Sequence, residues 1–170
     1  HKICKSYEKA EYIAIDTEFI RERTYWPKLC LIQVFDGKKA SIIDPLVNGI
    51  DLAPLIDLLE NDSITKIFHA GRQDIEIFYN LTNNVPKNIF DTQIAAMVCG
   101  FGESIGYERL VSRMLNKKID KTSRFTNWEK RPLSKKQKDY AISDVTHLFD
   151  LYPIIKKQVF DNKRENWVKE

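Results

Sequence analysis

Residues 12–19 read YIAIDTEF and alternate with a period of two, Ile13 and Ile15 on one side and Ala14, Asp16 and Glu18 on the other. That period requires a strand, and it forces the two acids onto one face. Residues 29–35 (LCLIQVF) and 40–44 (ASIID) read as further strands, joined through Asp36 and Gly37, a strong hairpin turn signal. The chain therefore starts as three antiparallel strands.

The pattern then changes. Leu52, Leu55, Ile56 and Leu59 recur at helical spacing, and the apolar run 64–68 reads as a buried strand. Asp74, Ile75, Ile77, Phe78 and Leu81 make residues 71–81 a helix, IFDT at 89–92 a short strand, and Asp91 the cap of a helix that reaches Cys99 and stops at Gly100. Alternating helices and strands predict an α/β domain whose mixed central sheet, antiparallel at first and then parallel, is flanked by helices. Residues 101–139 read as loop and short helix. Ser134 with Gln137 forms a capping box before a long helix, which Pro153 is expected to end or kink.

With 170 residues, 43% hydrophobic and 30% charged, the chain fits one soluble globular domain spanning 1–170. No apolar run approaches the roughly 18 residues of a membrane span and no signal-peptide pattern opens the chain, so the expected location is cytoplasmic. Cys4, Cys30 and Cys99 are odd in number and far apart, and the last two lie in apolar segments, which argues against disulfides and a thiolate metal site.

Two further acids sit on faces that should be apolar. Asp74 lies one turn before Ile77 and Phe78. Asp144 is flanked by Ala141, Val145 and Leu148, with Tyr140 one turn earlier. A buried carboxylate needs a cation, an arginine or a hydrogen-bond cluster. Asp16, Glu18, Asp74 and Asp144 brought together form an all-oxygen site that suits magnesium or manganese and not zinc.

DTEF at 16–19, FHAGRQDIEIF at 68–78, FDTQIAA at 90–96 and DYAISDVTHL at 139–148 closely resemble, in order and spacing, the exonuclease motifs of the ribonuclease D family. The resemblance extends over RERTYWPKLCLIQVFDG and WEKRPLSKKQ, and so over almost the whole chain. It implies a ribonuclease H-like exonuclease fold and a 3'-5' exoribonuclease of the subgroup with three aspartates, one glutamate and a tyrosine. Longer members continue into helical RNA-binding domains that this chain lacks.

The resemblance further implies two divalent cations, Mg2+ or Mn2+, bridged by Asp16. Glu18 and Asp144 complete the ion on the nucleophile side, Asp74 supports the one at the leaving group, and Tyr140 positions the attacking water. The products are nucleoside 5'-monophosphates. An ordinary phenol titrates near about 10, so Tyr140 is assigned orientation and not general-base work. Phe19 is a candidate to stack on the terminal base, with Gln33 and His69 as contacts to the last nucleotides.

Residues 116–139 hold nine lysines and arginines against three acids, a local balance of +6 when the whole chain carries +3. Phe125 and Trp128 interleave with them. This pattern fits a groove that follows RNA phosphates and stacks bases, with Lys121, Trp128 and Arg131 as its contacts. The expected partner is RNA with a single-stranded 3' end, in transfer RNA precursors or other structured RNA; no membrane and no protein partner is implied. The alternatives are a 3'-5' exodeoxyribonuclease resembling the Werner syndrome protein and a noncatalytic RNA-binding module.

Overall fold

The alternating N-terminal residues form the antiparallel half of a five-stranded sheet, and the βα units that follow add the parallel half. The computed structural model describes residues 2–22, 24–120 and 122–169. Its elements are α1 (Lys2–Tyr7), β1 (Tyr12–Ile20), β2 (Lys28–Phe35), β3 (Ala40–Ile43), α2 (Ala53–Glu60), β4 (Thr65–Phe68), α3 (Arg72–Thr82), β5 (Ile89–Asp91), α4 (Thr92–Val98), α5 (Tyr107–Leu115), α6 (Lys135–Asp161) and α7 (Glu165–Lys169). The strand order is β3-β2-β1-β4-β5. β1 pairs antiparallel with β2 and parallel with β4, so it is the central strand.

Both faces of β1 are covered. Ile13 and Ile15 join Tyr7, Leu55, Leu59, Ile77 and Phe78 in a core under α1, α2 and α3. Ala14, on the other face, packs with Val145, Leu148 and Tyr152 of α6. Burying aliphatic and aromatic side chains of this size stabilises the fold by about 1.5–3 kcal/mol each. The two acids of β1 thus share the face that α6 covers, where the carboxylate of Asp144 also lies.

The β2–β3 turn forms at Asp36 and Gly37 as expected. The Asp36 carboxylate accepts the backbone N–H groups of Lys38 at 2.9 Å and Lys39 at 2.7 Å. Gly37 has φ +86°, and a Cβ there would meet the Phe149 ring at 2.6 Å, so the position needs glycine on both counts.

Pro153 neither ends α6 nor stands near its end: the helix continues to Asp161. Proline in a helix interior costs about 3 kcal/mol or more through the lost donor and the clash with the preceding turn. Leu151, Tyr152, Ile155 and Val159 are all buried around it, and their burial offsets that cost. The capping box at the other end forms in full, Ser134 Oγ accepting from Gln137 N–H and Gln137 Oε1 from Ser134 N–H.

Candidate active site

Alternation along β1 sends Asp16 and Glu18 toward α6, and the helical period places Asp144 on the α6 face that meets them. Among the described residues, carboxylate oxygens of Asp16, Glu18 and Asp144 lie within 4.8 Å of one another. Asp74, at the first turn of α3, is 8% exposed and stands outside this close group. Its Oδ1 accepts a hydrogen bond from the Thr17 hydroxyl, which points to the opposite face of β1 from its two acidic neighbours.

The four acids are electrostatically linked. Burial, and then the charges of Asp74, Asp144 and Glu18, push the Asp16 carboxyl well above the usual carboxylate range. Burial, and then the charges of Asp144 and Asp74, raise Glu18 to about 9. Burial lifts Asp144 to about 7 against the opposing pull of hydrogen bonding with Tyr140 and of Arg124, and lifts Asp74 to about 6 against its hydrogen bond from Thr17. Such a cluster wants positive charge. The donors are all oxygen, and Asp144 Oδ1 is buried without a hydrogen-bond partner, so the residues present fit a hard divalent cation.

Asp16 and Asp144 lie on the wall of a cleft of about 500 Å3, lined also by His69, Ala70, Tyr107 and Arg124. The family described as 3'-5' exonuclease matches residues 1–160. The chain belongs to that family. Ribonuclease D of Zymomonas mobilis is 54% identical over 167 residues, which cover 98% of this chain and 43% of the relative.

Escherichia coli RNase D, an exoribonuclease involved in structured RNA processing, superposes with a TM-score of 0.88 at 40% identity, over 98% of this chain and 44% of that one. Brucella melitensis NrnC with bound Mg2+ superposes with a TM-score of 0.83 at 28% identity, over 94% and 79%. The exonuclease domain thus spans less than half the length of the ribonuclease D relatives it matches. Among its described residues, no helix is long and apolar enough to cross a membrane.

Tyr140 stands one turn before Asp144 on α6, with its hydroxyl close enough to that carboxylate for each to shift the other's pKa. Burial and the charges of Asp144 and Glu18 push its phenol far up, so the hydroxyl keeps its proton at every physiological pH. A second tyrosine, Tyr107, donates to the backbone carbonyl of Asp144 from α5 and ties the two helices together at that position.

The substrate candidates divide. His69 lines the cleft, but both ring nitrogens are engaged, Nδ1 with Thr92 Oγ1 at 2.9 Å and Nε2 with the Ile105 carbonyl at 3.2 Å. The carbonyl can only accept, so Nε2 carries a proton, and burial lowers the imidazole pKa. Phe19 is half-buried against the core under α1 to α3, beside a register shift at Glu18/Phe19. Lys121 lies outside the described residues.

Three candidates are corrected by their surroundings. Trp128 is 2% exposed, packed with Leu31, Leu133 and Ala141, so its face is closed to bases. Its ring centroid lies 6.1 Å from that of Tyr140, which it backs. Arg131 spends its guanidinium on Asp44, with Nε–Oδ2 at 2.6 Å and Nη2–Oδ1 at 2.7 Å, and on the carbonyls of Trp128 and Cys30. This bidentate pair ties the basic segment to β2 and β3, and leaves no fork for a phosphate. Gln33 has no exposed surface, so direct contact with a nucleotide is closed to it.

Two other members of the basic segment are exposed instead. Arg124, exposed, lines the cleft together with Asp16 and Asp144, and its charge opposes the upward shifts of Glu18 and Asp144. Phe125 beside it is 90% exposed, with the Arg124 guanidinium carbon 5.2 Å from its ring centroid. The basic composition of 116–139 contained both, but no periodicity marked which would face the cleft.

Asp91 caps α4 as expected and does more. Its carboxylate accepts from Gln93 N–H at 2.8 Å and Ile94 N–H at 3.4 Å, and also from Ala70 N–H at 3.0 Å and Gly71 N–H at 2.8 Å in the β4–α3 turn. Ala70 is held at φ +53°, a conformation that costs an alanine roughly 1–2 kcal/mol and persists only when its surroundings enforce it. The turn sets the start of α3 and hence Asp74. Asp91→Ala is expected to destabilise the domain by about 2 kcal/mol or more in urea denaturation, with Asp91→Asn less costly because it keeps an acceptor. Equal stability of Asp91→Ala and wild type would remove this role.

Proposed function

We propose that this domain is a metal-dependent 3'-5' exoribonuclease that removes nucleoside 5'-monophosphates from single-stranded RNA 3' ends, in transfer RNA precursors or other structured RNA, in the cytoplasm. The observation that carries the reading is the convergence of Asp16, Glu18 and Asp144 within 4.8 Å, with Asp16 and Asp144 on the wall of a cleft, in a chain 54% identical to a ribonuclease D. Asp16, Glu18 and Asp144, with Asp74 beside them, would hold two divalent cations, Mg2+ or Mn2+. When bound, such ions lower the pKa of an attacking water and stabilise the departing 3' oxygen of an in-line displacement at phosphorus.

The chain's own residues do the rest. Tyr140, protonated, can donate its O–H to Asp144 while its oxygen accepts from the attacking water, which orients the water without removing its proton. Arg124 adds positive charge at the cleft, where the phosphodiester brings negative charge. Thr17 holds one oxygen of Asp74 in place. His69, its nitrogens engaged, offers the cleft only its ring.

The test uses 5'-labelled single-stranded RNA and DNA of the same sequence, each with Mg2+, with Mn2+ and with chelator. Stepwise shortening of RNA only with metal supports the proposal, and absence of cleavage of both polymers would leave a binding module. Preferred cleavage of DNA would assign the deoxyribonuclease alternative. Asp16→Asn in parallel separates the domain's activity from a contaminant. Tyr140→Phe should slow turnover by roughly 10²-fold while divalent-ion binding by calorimetry stays unchanged; wild-type turnover in that variant would take Tyr140 out of the mechanism.

A further inference from the structure

Gln33 of β2 is paired directly with Asp16 of β1 in the antiparallel register. Directly opposed residues project from the same face, with Cβ atoms about 4.5–5.5 Å apart. Gln33 is 0% exposed, and neither its Nε2 nor its Oε1 has a hydrogen-bond partner. A buried carboxamide unpaired at both ends is rare in a native fold and costly to keep. Packing does not call for it, since Leu31 and Phe35, its neighbours on the same face of β2, are apolar.

Asp16 has the complementary need. Its carboxylate belongs to the three that crowd within 4.8 Å, and an ionised carboxylate accepts hydrogen bonds and donates none. The donor directly across the ladder, and unused, is the Gln33 amide. We propose that Gln33 is a positioning residue: its Nε2–H groups engage the Asp16 carboxylate when a divalent cation occupies the acid cluster, and fix the orientation in which Asp16 ligates. The inference rests on the metal-binding reading above. In the metal-free protein the donor is held in reserve, and the fold bears the cost of leaving it unpaired.

The consequence is a pair of effects with opposite sign. Gln33→Leu removes the unpaired polar atoms at nearly constant volume, so the melting temperature of the metal-free domain in chelator should stay level or rise. The same change removes the partner of Asp16, and hydrogen bonds to metal ligands alter metal affinity by about 10–100-fold. Mn2+ binding measured by titration calorimetry without RNA should therefore weaken by about that factor. Gln33→Met, which keeps the length and flexibility of glutamine without its donors, should weaken Mn2+ binding equally and guards against a misfit peculiar to leucine.

A metal-free domain destabilised by both substitutions, or Mn2+ affinity within twofold of wild type in both, overturns the proposal. The second result with normal Mn2+ binding by the wild-type chain leaves the metal-binding reading standing. A wild-type chain that binds no Mn2+ overturns both.

Discussion

Asp144→Asn should lower RNA hydrolysis by on the order of 10³-fold or more and, in the same protein, raise the melting temperature of the metal-free domain at pH 8. The two effects have one cause. Asp144 is 6% exposed, within 4.8 Å of Asp16 and Glu18, with one oxygen lacking any partner. Without a cation, burial pushes its carboxyl to about 7, and its charge repels those of Asp16 and Glu18, which it helps to raise. Neutralising it relieves that repulsion, and at this chain length each kcal/mol relieved appears as roughly 2–4 °C. With the cation the same charge is a ligand, and a cation that stabilises the transition state by about 4 kcal/mol or more corresponds to that loss of rate. A calorimetric scan in chelator and a single-turnover assay in Mg2+ check both. A variant that is inactive and less stable than wild type would show that Asp144 works for the fold and not for the ion.

Stability of the metal-free domain should fall as pH rises from 5.5 to 8.5. Asp74, Asp144 and Glu18 titrate in the native state at about 6, about 7 and about 9, each above its unfolded value of about 4. Between those limits the native state binds more protons than the unfolded state, so each unit of pH costs stability until the native group has also ionised. Asp44 acts in the opposite direction at the acid end: Arg131 holds it below the usual range, and its contribution is lost as pH falls through that lowered value. Saturating Mg2+ should flatten the slope, because cations bind the deprotonated cluster and stabilise most where protons are scarce, by about 2.7 kcal/mol at a hundred times the dissociation constant. Melting temperatures at several pH values, with Mg2+ and with chelator, measure this directly. A metal-free melting temperature that climbs steadily to pH 8.5 would falsify the picture of a repulsive acid cluster.

Much of the site was legible because each acid breaks a local pattern. Asp16 and Glu18 interrupt an apolar strand face, and Asp74 and Asp144 interrupt apolar helix stripes. Local periodicity sets the direction in which a side chain leaves its element, and these four lie in regular elements. The basic segment was misread in part for the complementary reason. It has no repeat to orient it, so composition named Trp128 and Arg131 as contacts when they serve as a buried brace and a bidentate tie to Asp44. Arg124 and Phe125, a few positions earlier, are the members that remain exposed, Arg124 on the cleft wall. Pro153 does not end α6, because the buried neighbours around it offset a local cost of about 3 kcal/mol.

By itself the sequence determined the central strand, the shared face of Asp16 and Glu18, and the order in which helices and strands add to them. Those follow from periods of 2 and 3.6 residues and from turn and cap chemistry, which act over a few neighbours. The tertiary structure alone decided that Thr17 serves Asp74, that Asp91 holds the β4–α3 turn as well as its own helix, and that Gln33 lies unpaired opposite Asp16. Each of these joins residues from different elements, 17 to 57 positions apart, and only the packing of those elements onto one sheet brings them within reach.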